Sequence, residues 1–312
     1  MLKGDPKISF VVAAYNVESY ILEALSSISP PCFDWPVEVI IVDDGSTDTT
    51  SSIVKDWSEE FPEESLVISQ ENAGLSAARN SGLTSARGEY IFFVDGDDKV
   101  NAEGLRAVVE TADRTNADIT VGGFERFWTS SGIETRAPVV LPESLIRLGV
   151  VTGSAHLLTA FQSSFRRLNV WNKLYRSSFI RAAGIRFEKG ILYEDVPFTF
   201  RAVLSSTKTV VTKDLVYLYR QRPDSIMSAP PADAWRSRKK VAELLLEIFD
   251  EFEVEERLFY EYSVYQLWEA FKSSGNREKK LYAEIVSKRK LSPKICIRLL
   301  YMSFGPRLRI QT

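Results

Sequence analysis

Histidine and cysteine are nearly missing from these 312 residues, which hold one histidine, His156, and two cysteines, Cys32 and Cys296. That leaves no Ser-His catalytic pair of obvious design and no His/Cys metal cluster. His156 is read as incidental, so any acid–base chemistry has to rest on carboxylates. The cysteines lie far apart without paired spacing, which points to a reducing cytosol. Long apolar runs are missing too, and none approaches the roughly 18 residues needed to span a bilayer. The opening MLKGDPK lacks the apolar core of a signal peptide. A cytoplasmic location is expected.

Three common nucleotide and metal devices are absent as well. YNVES follows the first strand, with no G-x-G-x-x-G, and no G-x-x-x-x-G-K-[ST] occurs anywhere. A Rossmann dinucleotide site and a P-loop are therefore not expected. The acidic stretch beginning at Asp95 fails as an EF-hand, because Val100 and Arg106 stand where that loop needs Gly and Glu.

The net charge of −3 argues against a nucleic-acid binder. That average hides a basic end. Residues 277–312 carry ten Lys/Arg against two acids, so this segment is +8 and the rest of the chain is −11. With apolar residues between its charges, the segment suits either an anionic membrane surface or a solvated helix. Peripheral attachment at the inner face of the membrane is one expectation it raises.

What is present is a run of alternating signals. Near-continuous apolar strands are expected at 8–14, 37–44, 65–70 and 89–94, with helices at 17–28, from a Ser46 or Thr47 cap to 61, and at 75–86. Such alternation indicates βαβ units and a mostly parallel sheet covered on both faces. Beyond it, 102–115 reads as helix, 118–128 as strand and 129–155 as irregular. Helical segments follow around 171–183 and 194–205, then a strand at 208–222 and a helical region at 232–273.

In parallel sheets, ligands bind at the carboxyl ends of the strands. Asp43 and Asp44 close one strand here; Asp95, Asp97 and Asp98 close another. Like charges this close repel unless something positive sits between them. Asp-x-Asp without His or Cys support suits Mg²⁺ or Mn²⁺, which bind through one or two carboxylates plus substrate phosphates. A solvated Asp-rich turn is the alternative.

VVAAYNVESYILEALSSI, IIVDDGSTDTT, NAGLSAARNSGL and GEYIFFVDGDD follow in order through the first hundred residues. WNKLYRSSFIRAAGIRF, YEDVPF and YLYRQRPDSIM come later. Together they resemble the family 2 glycosyltransferases of GT-A fold, in particular bacterial enzymes of capsule, exopolysaccharide and lipopolysaccharide synthesis. The resemblance covers residues 7 to about 227. It implies a nucleotide-sugar-binding half (1–100), an acceptor-binding half with the catalytic base (101–228) and a helical, basic extension (229–312).

By that resemblance Asp44 meets the donor's base, Ala13 and Tyr15 line the base pocket, and Arg79 lies near the nucleotide. A pair between Arg79 and Asp43 or Asp44 is its structural alternative. Asp95 faces ribose and metal, Asp97 ligates Mn²⁺ or Mg²⁺, Asp98 supports, and Gly96 lets the turn approach the donor. Asp195 matches the base that takes the acceptor's proton. Its place at a helix start is expected to favour the ionised form. Glu194, Tyr219, Arg220 and Arg222 are candidate phosphate or acceptor contacts. Trp171 is read as packing beneath the acceptor site.

The expected activity is inverting, metal-dependent transfer from a UDP-sugar to a saccharide or lipid-linked saccharide. A non-catalytic nucleotide-sugar-binding module is the second reading. A sugar nucleotidyltransferase is the third, disfavoured because AAYNVES lacks the Gly-rich loop with Arg and Lys.

Overall fold

The computed structural model describes residues 5–130, 133–163, 168–222 and 233–254. The chain divides into two units, one of residues 1–190 and 194–225, the other of 191–193 and 226–312.

The first unit opens with β1 (Ile8–Ala14), α1 (Ile21–Ser27), β2 (Val37–Asp43), α2 (Thr50–Glu60), β3 (Ser65–Ser69), α3 (Leu75–Ser85) and β4 (Tyr90–Asp95). Every residue of β1 and β2 is buried, as their near-continuous apolar character requires of strands covered on both faces. There follow β5 (Lys99–Val100), α4 (Ala102–Thr115), β6 (Ile119–Ser130), β7 (Ile133–Val139), α5 (Glu143–Ile146) and α6 (Gly153–Gln162). The unit continues through β8 (Lys173–Arg176), α7 (Ser177–Ala182), α8 (Asp195–Ser205) and β9 (Thr209–Arg220).

Among the described residues the sheet has nine strands, in the order β3-β2-β1-β4-β8-β6-β9-β5, with β7 on β6. The first four pair in parallel, as does β6 with β9. β8 runs antiparallel to both β4 and β6. The expected parallel sheet is therefore parallel on one side and mixed on the other. The expected boundary at residue 100 falls inside this one sheet.

Three local expectations change. The helix foreseen from Val17 starts at Ile21, because 17–20 form a turn whose Val17 amide donates to Thr50 Oγ1 at 2.9 Å. Neither Ser46 nor Thr47 caps α2. Asp48 Oδ1 accepts the Thr50 amide at 2.9 Å instead. The helix foreseen around 171–183 holds β8 first, whose hydrogen bonds to strands on both sides outweigh its helical spacing. The stretch read as irregular carries β7, α5 and α6.

α4 packs on β9 and β6. Asn101 caps it by accepting the Gly104 amide at 3.2 Å, and its C-terminus stops at Asn116 in the left-handed region. Gly104 lies so close to β9 that a Cβ there would stand 1.7 Å from the Leu215 carbonyl oxygen.

In the second unit α9 (Ala234–Glu251) buries Val241, Ala242, Leu245, Leu246, Ile248 and Phe249 at helical spacing. The basic stretch 277–312 and the helical reading of 255–273 lie outside the described residues. No helix among the described residues is long and apolar enough to cross a membrane.

Candidate functional site

The chain leaves β1 for β2 and β3 on one side, then returns to β4 on the other. That reversal opens a crevice at the carboxyl ends of β1 and β4. Register brings the motifs together there: Ala13 pairs with Asp95, and Ala14 with Asp43. Tyr15, just past β1, is 48% exposed, so its ring is available to a flat ligand.

The two β2 carboxylates face their own chain. Asp43 accepts the Ser46 amide at 3.0 Å and the Ser51 hydroxyl, which folds the GST loop over the strand end. Asp44, expected at the donor's base, accepts from Gln70 Nε2 (2.6 Å) and the amides of Ala73 (3.0 Å) and Gly74 (2.8 Å). It anchors the segment leading into α3, and so builds the crevice wall. The loops after β1 and β2 are cross-tied as well: Asn16 Oδ1 accepts the Thr47 amide at 2.8 Å, and Glu18 the Thr49 amide at 2.9 Å.

Arg79, on the buried face of α3, pairs with neither Asp43 nor Asp44. Its guanidinium forks between Asp95 Oδ1 and Glu194 Oε1, both at 2.5 Å, and lies over the Phe187 ring. One buried cation thus joins the end of β4 to the start of α8.

The DGDD turn hangs from β1 and β9. Gly96 donates its amide to the Ala13 carbonyl at 3.0 Å, and an added Cβ would meet that oxygen at 3.0 Å and Val17 at 3.2 Å. The close approach that requires glycine is therefore to β1. Tyr217 Oη accepts the Asp95 amide at 3.0 Å. Asp98 is buried and accepts the Arg220 amide at 2.7 Å. Burial, then Asp97 and Asp95, holds its carboxyl well above the ordinary range.

Arg220 and Arg222 were both expected near the rim, and they part company. Arg220 is buried over Phe127 and Tyr20. It donates from Nε to the Asp97 carbonyl at 2.7 Å and from Nη2 to Glu23, so it holds the turn. Arg222 sets its Nε 2.9 Å from Asp97 Oδ2, with both side chains about one-fifth exposed. Even so, burial and Asp95 push the Asp97 carboxyl upward.

Asp95 and Asp97 offer hard carboxylate oxygens, the donor type that Mg²⁺ and Mn²⁺ take. Among the described residues no three His, Cys, Asp or Glu groups converge as a metal site. The residues fit an ion whose remaining ligands come from a donor diphosphate. They do not fit one held by protein alone.

Across the crevice, Asp195 opens α8 after Tyr193, whose φ of 64° lies in the left-handed region. Burial pushes the Asp195 carboxyl up to about 7. Glu194 and Asp95 add to this, against Arg79 and Lys173. The expected pull of the helix N-terminus toward the ionised form is outweighed. A carboxyl poised near neutrality is better matched to proton abstraction than an ordinary aspartate.

Lys173, in the centre of the sheet on β8, is a buried cation that sequence reasoning did not single out. It is buried and donates to the Asn169 carbonyl (2.5 Å) and Asn172 Oδ1 (3.0 Å). Burial brings its ammonium down to about 7, opposed by Asp195. Its only sequence signal was a lysine inside an otherwise apolar WNKLY. Trp171 stacks on Tyr217 at 4.4 Å and Tyr219 at 5.4 Å, meets Phe124 edge-on, and is core-packed.

The chain is similar to known proteins in sequence and in fold. A profile described as "Glycosyl transferase family 2" matches residues 9–174. The chain is 33% identical over 234 residues (71% of this chain, 32% of the relative) to Glycosyltransferase GlyA of Streptococcus pneumoniae. It is also 33% identical over 226 residues (72% and 64%) to the uncharacterized glycosyltransferase EpsJ of Bacillus subtilis. The match thus spans from about a third to just under two thirds of these relatives' lengths. In fold it is similar to residues 1–349 of S. aureus TarS, solved in complex with UDP-GlcNAc. The TM-score is 0.62 at 23% identity, covering 95% of this chain and 81% of that one. The curled, helix-flanked sheet is thus of the GT-A type, and the chain belongs to glycosyl transferase family 2.

Proposed function

We propose that the chain transfers a sugar, with inversion, from a nucleoside-diphosphate sugar to a hydroxyl of a saccharide or lipid-linked saccharide. The crevice at β1 and β4 takes the nucleotide, with Tyr15 against the base, Ala13 beneath it, and the Asp44-anchored segment as a wall. A UDP-linked donor is supported by the UDP-GlcNAc bound in the TarS structure of the same fold. Polysaccharide synthesis as the setting is supported by the resemblance that the sequence motifs carry.

One observation carries the reading. Glu194, Arg79 and Asp95 form a continuous ion-paired chain from the helix bearing Asp195 to the strand bearing the DGDD turn. That chain ties the turn to the helix bearing Asp195, which supports a single displacement between them. The acceptor oxygen attacks the anomeric carbon as the bond to the diphosphate breaks, and its proton passes to the Asp195 carboxylate. Mn²⁺ or Mg²⁺, held by Asp95 and Asp97 together with donor phosphate oxygens, would neutralise the charge of the leaving diphosphate. No covalent sugar–enzyme intermediate is needed.

Replacing Asp195→Asn keeps the shape of the side chain and removes the base. Transfer, read as UDP release from a panel of UDP-sugars with Mn²⁺ and acceptor, should fall about 10²- to 10⁴-fold. UDP affinity should stay within about twofold of the parent's, since Asp195 takes no part in nucleotide binding. Full transfer by this variant would remove Asp195 from its role. Absence of UDP release from every donor by the parent chain would favour a non-catalytic binding module.

A further inference from the structure

Two buried cations stand near the start of α8. Arg79 is neutralised there by Glu194 and Asp95. Lys173, on β8, is 2% exposed and donates to neutral acceptors, the Asn169 carbonyl at 2.5 Å and Asn172 Oδ1 at 3.0 Å. These hydrogen bonds hold the ammonium in place without cancelling its charge. Side chains alternate along a strand, so Lys173 and Tyr175 share one face of β8. α8 covers that face. The Tyr175 ring meets Phe198 edge-on at 5.8 Å, and Thr199 lines one cavity with Lys173, His156, Val121, Val203 and Val211. Asp195 stands one turn before Thr199 on the same side of the helix. Its carboxylate thus comes to the face that carries the ammonium, and its charge acts on both Lys173 and Tyr175.

We infer that Lys173 is a positioning residue of the base: its ammonium, fixed beneath α8, favours the ionised Asp195 carboxylate that receives the acceptor's proton. The inference rests on the proposed function, and adds to it a residue that acts through Asp195. The groups facing Asp195 are Glu194 beside it, Arg79 from α3, Asp95 from β4 and Lys173 from β8. Glu194 and Asp95 oppose its ionisation, and Arg79 is shared between those same two carboxylates. Lys173 therefore supplies the cation that no hydrogen-bonded partner neutralises. The other titratable groups around it are silent, because burial keeps Tyr175 protonated and the His156 imidazole uncharged. Asp195 and Lys173 are brought to about 7 from opposite directions, so the two titrate as a pair.

The pH dependence of turnover tests this. UDP release from the UDP-sugar that the parent turns over, with saturating donor, Mn²⁺ and acceptor, is followed from about pH 5.5 to about pH 9.5. The full chain is compared with K173M, K173Q and D195N. Methionine removes the charge and suits the apolar cavity, whereas glutamine removes the charge and keeps a donor for the two asparagines. In both variants the midpoint of the rising limb should move up by about one pH unit. Turnover should then fall about tenfold at pH 6 and return to the parent's at pH 9, with the donor KM within about twofold throughout. A loss that is equal at every pH, or no loss, in both K173M and K173Q would overturn the role of Lys173. With D195N inactive, that result leaves the proposed function standing. Full turnover by D195N, or none by the parent, would overturn the proposed function and the inference with it.

Discussion

Arg79 sets one positive charge between two carboxylates that reach it from positions 16 and 115 residues further along the chain. A residue this buried cannot be removed quietly, because both carboxylates would remain in place without their cation. Arg79→Met should cost about 3–5 kcal/mol in urea unfolding at neutral pH. Arg79→Lys should recover little of that, since a single ammonium cannot bridge both oxygens as the fork does. The identity of this residue was legible from AARN, and its partners were not. Sequence neighbourhood suggested Asp43 or Asp44, but those carboxylates are satisfied by hydroxyls and amides of their own loops. The same blindness applied to Arg220. An arginine in YRQR reads as a candidate phosphate or acceptor contact, and only the fold shows it lying over Phe127 and Tyr20.

Elements were legible where burial and periodicity agree. The strands β1, β2 and β4 are mostly apolar because both their faces are covered, and the sequence shows this directly. β7 is mostly exposed and pairs with β6 alone, so nothing in its residues marks it as a strand. β8 spans four residues and owes its conformation to β4 and β6, which lie far from it in sequence. The packing of α4 on β9 was equally hidden, since Gly104 read only as an indifferent helix residue. Its lack of a side chain is what allows the helix to approach the Leu215 carbonyl. Gly104→Ala should therefore destabilise the protein by about 1–3 kcal/mol, through forced separation of helix and strand, although alanine is the better helix former. A fall in the calorimetric midpoint checks this. An unchanged or raised midpoint would mean that α4 shifts without cost.

For the molecule as a whole, pH acts on the buried groups in opposing directions. Asp195 sits at about 7 among Glu194, Arg79, Asp95 and Lys173, so the transfer rate should climb with pH and level off above about 7. Its folded value lies above the unfolded value of about 3.9, so the folded state holds the extra proton between those limits. Stability from this group is full below about 4 and is lost as pH rises through about 7. His156 acts the other way. Burial, with Lys173 adding to it, brings its imidazole down to about 3, so stability from it grows as pH rises toward its ordinary value of 6.5. Lys173, brought down to about 7, adds a further rise from there toward its ordinary value of 10.5. Asp195→Asn removes only the falling contribution. The variant should gain stability over the parent at pH 8 and little at pH 4.5, by urea unfolding at the two values. The crevice itself was legible because its motifs fall in chain order within one βαβ run. The chemistry of its base was not, because the shift comes from burial and from charges brought in by other elements. The late pairing of β9 has one more consequence, and it concerns synthesis. β5 meets its partner at Tyr217 and Leu218, more than a hundred residues downstream. At about 5–20 residues per second, a ribosome leaves the acidic turn without its closing strand for roughly 5–20 s. Through that interval the nascent chain carries the acidic turn without Arg220, whose backbone amide and side chain hold it in the finished fold.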